Sequence, residues 1–95
     1  MKLVRDNIPA IMKARRQASE VHVATDKEYL EALKEKLREE TSEFLKDNNT
    51  EELADILEVV YALAHQQGIS RQEIEELREK KAAERGGFRK RLILH

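Results

Sequence analysis

The stretch Tyr29-Leu30-Glu31-Ala32-Leu33-Lys34-Glu35-Lys36-Leu37-Arg38-Glu39-Glu40-Thr41-Ser42-Glu43-Phe44-Leu45-Lys46 decides the fold. Leu30, Leu33, Leu37, Glu40 and Phe44 recur at alternating three and four steps, the spacing of a helical stripe that faces a core. Glu40 therefore takes a slot that an apolar residue should fill. At about 100° per residue, Glu43 stands ~60° around from Glu40, so the two carboxylates follow one edge of the stripe.

Working outward, the polar break Lys46-Asp47-Asn48-Asn49-Thr50 leads into a second helical stripe of Glu52, Ile56, Val59 and Leu63, with Asp55 three residues after Glu52. A break this short joins adjacent antiparallel helices. Glu40 lies a turn or two before it and Asp55 a turn or so after it. With a rise of ~1.5 Å per residue, the two acidic pairs come level. Four carboxylates, Glu40, Glu43, Glu52 and Asp55, are expected to converge.

Such a group, half out of water, needs cations, because like charge and desolvation both oppose ionisation. Oxygen ligands without His or Cys suit a hard ion, Mg²⁺ or Mn²⁺. Mg²⁺ characteristically keeps waters and completes its shell with a substrate's phosphates. The pattern points to phosphate-ester or phosphoanhydride chemistry.

The remaining chain supports a helical protein. Charged residues make up 39% and aromatics 4% of the 95 residues, with one Pro and three Gly, a composition of helices rather than sheets. Asp6 or Asn7 can cap a first helix with Pro9 in its opening turn, ending near Ser19. Glu20 to Ala24 reads as a connection. Thr25-Asp26-Lys27-Glu28 and Ser70-Arg71-Gln72-Glu73 have capping-box form and open the second and fourth helices, the fourth running to about Glu84. Gly68 is placed to end the third. Phe88 to His95 mixes basic and apolar residues, and an extended tail there can pair with Lys2 to Arg5, within one chain or between two. No internal repeat or linker divides residues 1–95, so one domain is expected.

Composition also narrows the function. Without Cys there are no disulfides, thiol nucleophiles or zinc–thiolate sites. A net charge of -1 gives no global field for nucleic acid or membranes. Charge arrives too early after Met1 for a secretory signal, and no apolar run approaches ~20 residues, so a cytoplasmic protein is expected. At this length the buried fraction of surface is modest, and a dimer is a reasonable expectation.

Each candidate residue has a plainer alternative. Glu40 and Glu43 can be a solvated helix face, although Glu40's place on the stripe argues otherwise. Glu52, third residue after an Asn49 cap, can close a capping box, and Glu51 can do similar local work. Asp55 lies beyond the first turn, where Asp is a poor helix former, so capping does not explain it. Lys81 and Arg85 continue the face of Ile74 and Leu77, which fits phosphate binding and fits a basic helix end favoured by the dipole equally well. Arg5 is a third candidate phosphate contact, while its neighbour Asp6 reads first as a helix cap. Arg89, Lys90 and Arg91 read as solvated, and His22, His65 and His95 show no ligand spacing.

The pairing of Glu39-Glu40-Thr41-Ser42-Glu43 with Glu52-Leu53-Ala54-Asp55 resembles the MazG-like all-α nucleoside triphosphate pyrophosphohydrolases. Lys2-Leu3-Val4-Arg5-Asp6-Asn7-Ile8-Pro9 and Glu84-Arg85-Gly86-Gly87-Phe88 look like the small phosphoribosyl-ATP-pyrophosphohydrolase-like members of that superfamily. The resemblance implies a four-helix bundle completed by oligomerisation, as a dimer or tetramer. It also implies Mg²⁺-dependent cleavage between the α and β phosphates to a monophosphate and pyrophosphate, a house-cleaning activity if the nucleotides are non-standard. Metal ligands would be Glu40, Glu43, Glu52 and Asp55. Glu39 would assist as the group that orients or deprotonates water, and Lys81, Arg85 and Arg5 would meet the substrate. Two other readings stand beside it: a non-enzymatic helical interaction module, which has no reason to put Glu40 and Glu52 on apolar stripes, and a nucleic-acid binder, which the near-neutral charge opposes.

Overall fold

The computed structural model describes residues 2–95. Its four helices are α1 (Ile8–Ala14), α2 (Asp26–Asp47), α3 (Thr50–Gln66) and α4 (Arg71–Arg85), and no strand occurs among the described residues. None of these helices is long and apolar enough to cross a membrane.

Local chemistry sets most of the boundaries. Thr25 accepts a hydrogen bond from the Glu28 amide at 3.2 Å, and the Glu28 carboxylate accepts one from the Thr25 amide at 3.0 Å, so the expected capping box opens α2. Ser70 and Glu73 open α4 in the same way. Only Asn48 and Asn49 lie between α2 and α3. Asn48 takes the left-handed conformation (φ 54°) that Asn tolerates better than most residues, and Asn49 Oδ1 accepts from the Glu51 amide at 2.9 Å. At the far end of α3, Gly68 has φ 80°, the Gly68 amide donates to the His65 carbonyl, and that of Ile69 donates to Ala64. This paired closure ends a helix where glycine bears the left-handed backbone without strain.

The first helix departs from expectation. It ends at Ala14 rather than near Ser19, through the same paired closure: the amides of Arg16 and Gln17 donate to the carbonyls of Lys13 and Met12. Here the left-handed position belongs to Arg16, φ 56°, which costs roughly 1–2 kcal/mol. The physical reason lies in the sequence beyond Met12, where no large apolar residue follows until Val21 and a longer helix would bury nothing. Asp6 is not the cap. Asn7 occupies that position, and its side chain makes no capping hydrogen bond. The tail is also not a strand: the Arg91 amide turns back onto Phe88 at 3.0 Å, and Phe88, Leu92, Ile93 and Leu94 are exposed.

Helix α2 packs along α3 and α4 packs against α3, while the Arg71 guanidinium lies 4.3 Å from the centre of the Tyr61 ring and ties the second contact. Among the described residues the buried apolar ones are few, namely Leu33, Val59 and Ala64. A radius of gyration of 16.8 Å exceeds the roughly 12 Å expected for a compact chain of this length. The chain is an open helical array centred on the α2–α3 hairpin.

Candidate metal centre

The α2–α3 hairpin buries an acid. Glu40 is 7% exposed, more buried than Leu30, Leu37 and Phe44 of its own stripe, and is the one buried charged residue among those described. Across the hairpin, α3 presents Glu52 and Asp55. One carboxylate oxygen from each of Glu40, Glu52 and Asp55 lies within 4.8 Å of the others. Ligand oxygens around a hexacoordinate Mg²⁺, held at ~2.1 Å, stand roughly 3 to 4 Å apart, so small side-chain adjustments bring these three within reach of one ion.

Glu52 carries the clearest sign of an unmet partner. Its Oε2 is shut off from solvent and has no hydrogen-bond partner. Desolvation is the first cause that lifts its pKa, to about 7, followed by the close Glu40 carboxylate and the charge of Glu43. Rather than folding back to complete a capping box at Asn49, the side chain turns to the cluster. The expected fourth ligand, Glu43, is exposed and stands outside the triple group, yet its carboxylate raises the Glu52 pKa through both charge and a side-chain hydrogen bond.

Three cations surround the acids. Lys36 Nζ lies 3.4 Å from Glu40 and 3.5 Å from Glu39, with its side chain only 18% exposed. Lys2 Nζ is 3.3 Å from Glu39. Burial would raise the Glu39 carboxyl, but hydrogen bonds and charge from Lys2 and Lys36 overcome it and hold the pKa below the ordinary value. Arg5 donates from Nη2 to Asp55 Oδ1 at 2.6 Å, with Nη1 3.8 Å from Glu58. Lys36 escaped the sequence reading although its four-residue spacing to Glu40 was a signal. The roles of Lys2 and Glu58 depend on how the segment before α1 crosses the hairpin, which no local pattern encodes.

That crossing builds a cleft of about 450 Å³ between residues 3–8, α2 and α3. Arg5, Lys36, Glu40 and Asp55 line it, with Tyr29 and Leu33 as part of its wall. Lys81 and Arg85 are exposed on α4, which contributes nothing to the cleft, and neither forms an ion pair among the described residues. Comparison with family models, curated proteins and solved structures gives no match for this chain.

Proposed function

We propose that the chain is a divalent-metal-dependent nucleotide pyrophosphohydrolase whose ligands are Glu40, Glu52 and Asp55, with Glu43 available beside them. The observation that carries this reading is the buried Glu52 Oε2 without a hydrogen-bond partner, held with two further carboxylates beside a cleft of about 450 Å³. No donor from another described residue reaches that oxygen, so once Glu52 loses its proton the oxygen is left buried without a partner. A hard cation meets the oxygen's need and offsets the mutual repulsion of the acids.

Glu40, Glu52 and Asp55 would hold the Mg²⁺ or Mn²⁺, which would supply Lewis acidity for phosphate and for the activation of water. The chain's own residues would divide the other tasks. Lys36 and Arg5, both in the cleft, would offset phosphate charge. Glu39, held ionised by Lys2 and Lys36, suits the orienting of water better than the acceptance of its proton. Lys81 and Arg85 do not line the cleft, and a second copy would be one route by which they meet the phosphates. The MazG-like resemblance of the two acidic motifs supports cleavage between the α and β phosphates.

A second copy has independent support. Leu53 and Leu57, one turn apart on α3, are exposed and lie well around the helix from the Glu52, Ile56, Val59 and Leu63 stripe that faces α2. A helix apolar on two sides belongs inside a larger assembly. The same exposure favours the second reading, a helical interaction module without catalysis. Pyrophosphate release from a panel of canonical and modified nucleoside triphosphates, with Mg²⁺ or Mn²⁺, separates the two. Metal-dependent release that falls more than about 100-fold in a folded Asp55→Ala variant is the expected result, since even a residue behind the ligands is worth 10–100-fold. No release from any nucleotide, with thermal stability indifferent to metal, would leave the interaction module.

A further inference from the structure

Resting on the metal-site reading above, we infer that Arg5 is a place-holding cation, which neutralises Asp55 while the site is free of metal and is released to substrate phosphate when a divalent ion takes that carboxylate. Arg5 holds the same carboxylate that converges with Glu40 and Glu52, at 2.6 Å from Oδ1. A guanidinium and a metal ion compete for it.

Three features make the exchange easy. The Arg5 side chain is 55% exposed, so the pair belongs to the surface class that contributes little stability. Arg5 precedes α1 in irregular backbone, anchored there by a turn in which the Ile8 amide donates to the Arg5 carbonyl at 3.0 Å, so re-aiming its side chain breaks no helix. Once freed, the guanidinium remains in the cleft that Lys36 also lines, where its planar fork matches two phosphate oxygens. Lys36 differs: partly buried on α2 and between two acids, it has no comparable freedom. Arg5 thus acts twice at one site, first as counter-ion and then as phosphate ligand.

The test compares the full-length chain with Arg5→Gln, both verified as folded by circular dichroism, in calorimetric titrations with Mn²⁺ alone. Removing a competitor should tighten Mn²⁺ binding about two- to fivefold, the scale of an exposed ion pair. Inorganic pyrophosphate, titrated at matched free Mn²⁺ into the saturated proteins, should bind Arg5→Gln at least about tenfold more weakly, as loss of a forked charge contact predicts. In the parent, Mn²⁺ alone should speed hydrogen exchange in residues 3–8, and pyrophosphate should slow it again. Equal or weaker Mn²⁺ binding by Arg5→Gln, with clear binding by the parent, overturns the place-holder and leaves the metal site standing. Absence of Mn²⁺ binding in both proteins overturns the two together.

Discussion

Glu52 ties the stability of the fold to pH near neutrality. Its folded pKa of about 7 lies above the ordinary value of 4.5, so between these limits the folded chain holds a proton that the unfolded chain releases. Linkage then fixes the sign: this contribution to stability is complete below about pH 4.5 and is lost as pH rises through about 7. Glu28, Glu39 and Glu75 have lowered pKa values and act below that window, losing their contribution as the solution turns acid. The metal-free parent should therefore show a melting temperature that falls from pH 5.5 to 8, a fall absent from Glu52→Gln and suppressed by saturating Mn²⁺. Identical pH slopes for parent and variant would remove Glu52 from this role. Glu40 was legible in sequence because an acid interrupts a regular apolar stripe. The partner of Asp55 was not, since Arg5 lies fifty positions away and only the packed hairpin brings it near.

At the scale of elements, helix starts were legible where two residues close a reciprocal hydrogen bond. Thr25→Ala removes one side of such a box and should cost about 1 kcal/mol in thermal or chemical denaturation. Asn7→Ala, at a cap whose side chain makes no bond, should leave stability unchanged within error. A Thr25→Ala protein as stable as the parent would show that packing, not capping, fixes the start of α2. The end of α1 was hidden because its left-handed stop falls on Arg16, while the stop after α3 was visible because it falls on Gly68. Helix-closing geometry is the same in both, and only glycine advertises it in sequence.

For the whole molecule, the open shape and sparse core make association the measurable property. The double variant Leu53→Glu, Leu57→Glu should dissociate an oligomer to single chains in light scattering, with helix content retained. A parent that already scatters as a single chain at micromolar concentration would refute association through this face of α3. Charge composition and helix count were readable at this scale, whereas the spread of exposed apolar surface follows from how few faces one chain can cover. The two-residue joint Asn48-Asn49 has a wider consequence. One residue inserted there would separate the left-handed Asn48 stop from the Asn49 cap that directly follows it, and the altered turn would no longer set Glu52 and Asp55 level with Glu40. One inserted between Arg15 and Ala24 would lengthen an exposed connector and leave the three acids where they are. Natural variation in chain length should thus be permitted before the hairpin and forbidden at its bend, as if the protein carried a fixed ruler between two halves of its chemistry.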